Sequence, residues 1–185
     1  MRRGIEMLIT RFDSEKALEA ILYVAAKAPI PDIYHVGKIL YFADRAHLDR
    51  YGRLITGDSY SAMKDGPVAS NTYDIIKIAR GDGRYVPNGC NADVIRQSLF
   101  VADCGGEHKI QALREPDEDA LSDSDIACID EALAFYGNMS FRQIREISHD
   151  VVWESANENG DIPLETIASN SSDPDKLIGY LMANN

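Results

Sequence analysis

The segment from Asp32 to Tyr51 constrains the fold most strongly, because its apolar side chains recur at helical spacing and cover about half of a helix circumference. Pro31 suits the approach to the first turn of this helix, and Gly52 is typical of a residue that ends one. An apolar face of this width predicts a central helix that is packed by neighbours on more than one flank. The opposite, polar side of the helix is expected to carry His35, Lys38, Arg45 and Asp49.

Further helices are predicted on both sides of this segment, with Ser122 and Ser140 as N-caps of two of them. Pro67 would occupy the first turn of another, because proline presets the helical backbone there. The predicted helical ranges are 15–28, 68–80, 123–136, 141–147 and 174–182, with one more short helix after Pro163.

Short β-prone runs predict a small antiparallel element. Residues 94–101 and 108–113 flank a turn-forming segment, Asp103 to Gly106. Two such runs on either side of a turn favour a β-hairpin. A second short strand is expected between Ser59 and Met63. We therefore predict a mainly α (α+β) fold: a single globular helical domain with a small antiparallel β-hairpin.

The length of 185 residues suits one domain, which would bury roughly 70% of the surface that its unfolded chain exposes. This domain would span residues 1–185, with a core of about 14–156 and a C-terminal helical segment 157–185. Nineteen Lys and Arg against thirty Asp and Glu give a net charge of −11, which disfavours nucleic acids and anionic membranes as partners. Six of the acids lie between Glu115 and Asp125, either as a docking surface for a basic partner or as a solvated loop before a helix.

Several functional classes find no support in the residues. The segment 1–6 has two basic residues but no apolar core after it, so we expect no secretion signal and a cytoplasmic location. Cys90, Cys104 and Cys128 include no close pair, which is typical of reduced thiols, and the four histidines are scattered. No metal site, cofactor or membrane span is therefore predicted.

The sequence also gives no positive reason to predict an enzyme. It lacks a Gly-x-Ser-x-Gly elbow and a phosphate-binding glycine loop. Asp44 and His47 lie three residues apart on the central helix, so their side chains can meet. They would form either an acid–base pair in a pocket or a buried polar pair that fixes helix packing.

An ordered set of short motifs resembles a known family. The motifs are Lys38–Leu48 (KILYFADRAHL), Tyr51-Gly52, Ile55–Tyr60 (ITGDSY), Met63–Val68 (MKDGPV) and, later, Ser148-His149 with Trp153. Together they resemble the Panacea domain, also called the SocA-like or phage-associated GepA-like domain. The resemblance covers about residues 14–80 closely and 140–156 more loosely.

This resemblance implies a protein-binding function without chemistry. Members of the family are antitoxins that bind and neutralise protein toxins, and the family includes adaptors that deliver a toxin to an AAA+ protease. The cognate toxin is thus the expected partner, the protease is the alternative, and a small enzyme that uses Asp44 and His47 is the rival class. A transcriptional autoregulator has the least support, because Arg142 and Arg145 alone are too few basic residues for a DNA-reading helix.

Two groups of residues are candidates for partner contact. Glycine before proline permits a close backbone approach, so Gly66 and Pro67 would fix a corner of the fold. His149 and Trp153 would share a helix face, where the tryptophan is either an interface anchor or part of the core. The predicted partner-binding residues are Lys64, Asp65, Gly66, Pro67, Asn71, His149 and Trp153; for the corner, a tight turn that packs on the central helix is the architectural alternative.

Overall fold

A computed structural model of the protein describes residue 8 and residues 10–184; the segment 1–6, in which we expect no secretion signal, lies outside them. The helices are α1 (Ser14–Lys27), α2 (Ile33–Tyr51), α3 (Ser70–Arg80), α4 (Ala92–Ser98), α5 (Asp123–Tyr136), α6 (Phe141–Ser148), α7 (Val151–Glu154), α8 (Leu164–Ala168) and α9 (Pro174–Ala183). The strands are β1 (Tyr60–Met63), β2 (Gly66–Ala69), β3 (Leu99–Cys104), β4 (Glu107–Ala112) and β5 (Asp161–Ile162). The predicted mainly α fold with a small antiparallel β component is confirmed.

Helix α2 is the central element, as its wide apolar face predicts. The Asp32 carboxylate caps its N-terminus by accepting from the backbone N–H of His35, and Gly52 ends it in the left-handed region at φ 73°. Val36, Ile39 and Ala43 have no exposed surface. The elements in contact with α2 are α1, α3, α5, α6, α8, β2 and β4.

The polar side of α2 differs from the prediction, because two of its four polar residues are buried. His35 is 4% exposed, and its ring nitrogens lie 2.7 Å from Asp32 Oδ2 and 2.9 Å from the Met139 carbonyl oxygen. Lys38 is 2% exposed beneath β2. Neighbours pack around more of the helix than its apolar arc covers, so these polar groups are enclosed and hydrogen-bonded to protein.

The prediction that Pro67 begins a helix is wrong. Residues 66–69 form β2, which pairs antiparallel with β1 across a two-residue turn, Lys64-Asp65. β2 lies at the edge of a sheet with the order β2-β1-β5, where the missing N–H of a proline is tolerated. Helix α3 begins three residues later, and the Asp58 carboxylate accepts from the first backbone N–H groups of that helix.

The predicted hairpin around Asp103 to Gly106 is confirmed, but its turn and its first strand differ from the prediction. β3 and β4 pair from Leu99 opposite Ala112 to Cys104 opposite Glu107, so the turn has only two residues. The first half of the predicted strand, from Val94 to Ser98, is helical and belongs to α4, which the Asn91 side chain caps. A local capping signal thus outweighs the β propensity of that segment.

The C-terminal elements share the hydrophobic core of the rest of the described chain. β5 pairs with β1, and the side chains of Ile162, Ile167 and Leu177 are buried in the same cluster as those of α1 and α2. The helix predicted at 174–182 is present as α9. Within residues 8 and 10–184, no helix is both long and apolar enough to cross a bilayer.

Candidate functional site

A cleft of about 350 Å³ opens beside the β1–β2 hairpin, between the N-terminal half of α2 and helix α3. We call it the Lys38 cleft. Its walls are mainly apolar or aromatic and include Ile33, Tyr34, Met63, Val68, Tyr73 and Ile76. Charged side chains, among them Asp65 and Arg80, also contribute to its lining.

Lys38 is buried beside this cleft and, within the part of the chain that the structure describes, donates one hydrogen bond from its ammonium group. Its Nζ donates to the Pro67 carbonyl oxygen at 2.7 Å and lies 5.1 Å from the centre of the Tyr34 ring. Burial lowers the pKa of Lys38 to about 7, and the nearby charge of Asp65 opposes that shift only in part. The ammonium therefore holds the hairpin to α2 through a neutral oxygen instead of a carboxylate.

Gly66 is where the hairpin backbone comes closest to the helices beneath it. The residue has φ 109°, and a Cβ built there would lie 2.6 Å from Ser148 Oγ and 2.8 Å from Lys38 Nζ. Both the positive φ and these distances exclude a larger side chain. The close approach predicted for this glycine is therefore present, although the segment is a strand.

The turn of the hairpin is bound to α6. Arg145 Nε donates to Asp65 Oδ1 at 3.1 Å, while its Nη2 lies 3.4 Å from the Lys64 carbonyl oxygen. The hydroxyl of Tyr34 lies 3.3 Å from the Asp65 carbonyl oxygen. Lys64 itself is exposed, and the carboxylate side chain of Asp65 is 46% exposed. The turn is thus fixed through its backbone and through the Asp65 carboxylate, and the Lys64 side chain is exposed.

His149 and Trp153 lie beside the same turn. The indole Nε1 of Trp153 donates to the Met63 carbonyl oxygen at 2.8 Å, and the His149 ring centre lies 3.9 Å from that of the tryptophan. The two residues do not share a helix, because His149 caps α6 and Trp153 belongs to α7. Burial, together with the charge of Arg145, lowers the pKa of His149.

Six of the seven predicted partner-binding residues therefore come together at one corner, and the seventh does not. The side-chain amide of Asn71 donates to Asp58 Oδ1 at 2.9 Å, so it supports the start of α3 instead. Sequence reasoning missed Lys38, Tyr34 and Arg145. The position of Lys38 on the polar side of a helix signalled solvent exposure, and no local pattern relates Arg145 to a turn 80 residues earlier.

The Asp44 and His47 side chains are buried and bind other residues. Asp44 accepts from the Tyr60 hydroxyl and from the Ile55 backbone N–H, each at 2.6 Å, and burial raises its pKa to about 6. His47 Nδ1 donates to the Arg53 carbonyl oxygen at 2.9 Å. Asp44 is 2% exposed and His47 is 0% exposed, so these groups stabilise the packing of buried elements. Each does so through its own hydrogen-bond partners and not through the pairing of the two side chains that their spacing suggests.

The acidic segment divides into two parts. Glu115, Asp117, Glu118, Asp119 and Asp123 are exposed. Asp125 is fully buried, and its carboxylate contacts Lys16, Arg53 and His47 at 2.9–3.1 Å. Within the described chain, no group of three or more potential metal-binding side chains is found, and the three cysteines are free.

Comparison with known proteins identifies one family. A family model described as "Antitoxin SocA-like, Panacea domain" matches residues 36–154, which is more than half of the chain and includes most of α2, both hairpins, α6 and α7. No curated protein and no solved structure matched. The residues of the corner around the β1–β2 turn all lie within the matched range. The chain therefore belongs to the SocA-like antitoxin family and carries its Panacea domain.

Proposed function

We propose that this protein is a cytoplasmic antitoxin that neutralises a cognate protein toxin by direct binding. The contact is made by the surface around the β1–β2 turn, which we call the hairpin surface. Its exposed or half-buried members are Lys64, Asp65, His149 and Trp153, while Gly66 and Pro67 are buried and shape its backbone. One observation carries the proposal: residues about 80 positions apart in the sequence, on a hairpin and on the α6–α7 segment, converge at this corner.

The hairpin surface is suited to binding because it is rigid before a partner arrives. The turn is held by Arg145 on one side and by the Trp153 indole on the other. A fixed surface loses less conformational entropy on association than a mobile loop does. Tryptophan and arginine are also the residue types most enriched at energetically important contacts.

Exposed apolar side chains extend this surface. Phe141, at the start of α6, is 46% exposed and packs against the Tyr34 ring at 4.4 Å between ring centres. Val151, at the start of α7, is 62% exposed. An apolar area with a polar rim is the usual composition of a protein-binding surface.

The charge of the chain favours a basic toxin. The net charge is −11, and five of the six acids between Glu115 and Asp125 are exposed. Such charges increase the rate of encounter with a basic partner more than they increase affinity. Asp125 takes no part in this steering, since it is buried among cations.

The test is a substitution at the exposed tip of the hairpin. Lys64→Trp places a bulky side chain at the centre of the hairpin surface, so it should separate the two proteins and weaken toxin binding by at least about tenfold. Lys176→Trp on α9 is the matched control, because it makes the same change at another exposed lysine. Calorimetric titration with the product of the adjacent gene measures both variants.

Growth rescue of cells that express the toxin should follow the same order. Unchanged binding by a folded Lys64→Trp protein would remove the hairpin surface from the proposal. A neighbouring gene product that is harmless in cells without this protein would contradict the antitoxin function itself.

Toxin abundance distinguishes the two modes of neutralisation that the family includes. Sequestration leaves the toxin at a constant level in a stable complex, and this is the mode we propose. Delivery to an AAA+ protease would instead lower the toxin level when this protein is present, and the level would recover in cells without the protease. A chase of labelled toxin in both strains separates these outcomes.

A further inference from the structure

We propose that the Lys38 cleft is a binding site for a small apolar carboxylate, with the carboxylate at Lys38 Nζ and the apolar body along the walls formed by α2, β2 and α3. This cleft borders the hairpin surface and shares Lys64, Asp65 and Pro67 with it, but its ligand is not the proposed toxin. Binding of that ligand can therefore be tested without any toxin, and its failure would leave the proposed function untouched.

The size and lining of the cleft fit such a ligand. A volume of about 350 Å³ lies within the range of small-molecule sites in proteins. The walls contributed by Ile33, Met63, Val68 and Ile76 are apolar, and Tyr34 and Tyr73 add aromatic surface. An aliphatic or aromatic body of modest size would bury its surface there.

Gly37 gives an independent reason to regard the cleft as a binding site. It lies inside α2, where a glycine costs helix stability relative to alanine. A Cβ built at Gly37 meets no atom within 4 Å, so packing does not require the glycine. Gly66 is the opposite case, since Ser148 and Lys38 occupy the space that a side chain at Gly66 would need. At Gly37 the missing side chain leaves space in the cleft.

Lys38 supplies the charge that a carboxylate would complement. An ammonium has three donors, and among the described residues the hydrogen-bond acceptor of Nζ is the neutral Pro67 carbonyl oxygen. Asp65 is the acid whose charge acts on Lys38, and its carboxylate is bound to Arg145 at 3.1 Å. A ligand carboxylate would provide both the missing negative charge and acceptors for the remaining donors.

The same geometry argues against a peptide strand as the occupant. An added strand would need free backbone groups along the outer edge of β2. Pro67 has no N–H, and its carbonyl oxygen is already bound to Lys38. Ala69, the last residue of β2, is the N-cap of α3, so its carbonyl belongs to the start of that helix. The edge of β2 is therefore closed to strand addition.

The experiment titrates the full chain with octanoate and, separately, with octan-1-ol, which has a similar apolar body but no charge. We expect saturable binding of one octanoate per chain and binding of octan-1-ol that is at least about tenfold weaker, since only the carboxylate can pair with Lys38. Equal affinities, or no saturable binding of octanoate, would overturn the proposal.

Two variants locate the site. Gly37→Leu fills the cleft and should abolish octanoate binding, while Gly179→Leu, at another helical glycine whose Cβ would meet nothing within 4 Å, should leave it unchanged. Lys38→Met keeps the length of the side chain and should remove the preference for octanoate over octan-1-ol. Circular dichroism verifies that each variant is folded. Octanoate binding that survives both Gly37→Leu and Lys38→Met would contradict a site in this cleft.

Discussion

Asp125 on α5, which contacts His47 near the C-terminal end of α2, and Lys38, in the N-terminal half of α2, are both buried charged side chains, and they differ in what surrounds them. The carboxylate of Asp125 contacts Lys16 and Arg53 at 2.9 Å and His47 at 3.1 Å. The ammonium of Lys38 is bound to one neutral oxygen. The first group is surrounded by opposite charge, whereas among the described residues the second, which lines the cleft, has a single neutral hydrogen-bond partner.

This difference separates an architectural charge from one that remains available to a ligand. Although burial opposes its ionisation, hydrogen bonds from His47, Lys16 and Ser122 hold the pKa of Asp125 well below its usual range. Its negative charge thus joins α1, the end of α2 and α5. Among residues 8 and 10–184, no such set of partners compensates Lys38, whose pKa is lowered to about 7 by burial.

The largest expected effect is a loss of stability on substitution of Asp125. Asp125→Asn removes the negative charge and leaves the surrounding cations uncompensated, so we expect the free energy of unfolding to fall by ~3 kcal/mol. Chemical denaturation at neutral pH measures the change. Toxin and octanoate affinities of the folded fraction should remain those of the wild type, because Asp125 contributes to neither proposed surface.

Asp123→Asn is the control for this substitution. It removes the same charge two residues earlier, where the side chain is exposed, so it should change stability by less than about 0.5 kcal/mol. Equal losses in the two variants would show that burial among cations is not what makes Asp125 important.

The contrast between Asp125 and Lys38 also shows what sequence could and could not predict. Most helix boundaries follow from local signals, such as the capping boxes at Ser122 and Ser140. Burial of a charge depends on which distant elements cover it. Nothing near Asp125 in the sequence indicates Lys16, and nothing near Lys38 indicates that β2 lies over it.

The hairpin surface illustrates the same limit. The resemblance to the family marks Gly66 and Trp153 without explaining how they meet. The local Gly-Pro signal indicates a helix start, and pairing of β2 with β1 overrides it. That pairing is a tertiary interaction, as is the contact of the Trp153 indole with Met63, 90 residues earlier. Such contacts are determined by tertiary packing, and no periodic pattern in the sequence indicates them.

A smaller effect is expected at Lys38, and it depends on pH. Lys38→Met removes a stabilising hydrogen bond, but it also removes the unfavourable burial of an ammonium. The two effects oppose each other, so the free energy of unfolding near pH 7 should change by about 1 kcal/mol or less. Because the folded pKa of about 7 is below the ordinary value for lysine, the unfolded chain binds more protons above pH 7. The wild type should therefore gain stability relative to Lys38→Met as the pH rises, by at most about 1.4 kcal/mol per pH unit.

Denaturation curves of the wild type and Lys38→Met between about pH 6 and about pH 9 check this slope, which should vanish below the folded pKa, where both states of the wild type are protonated. Parallel pH profiles would mean that the Lys38 ammonium is compensated in the folded protein. In that case the contrast with Asp125 would disappear.

The smallest expected effect is a gain in stability. Gly37→Ala adds a methyl group in open space and improves helix propensity, so the free energy of unfolding should rise by about 0.5–1 kcal/mol. Gly179→Ala on α9 should give a similar gain for the same reason. Thermal and chemical denaturation compare the two. Octanoate affinity distinguishes them, because only the methyl group at Gly37 enters the Lys38 cleft and should weaken binding. A loss of stability in Gly37→Ala alone would mean that packing requires this glycine; a gain with weaker binding would mean that stability is forgone to keep the cleft open.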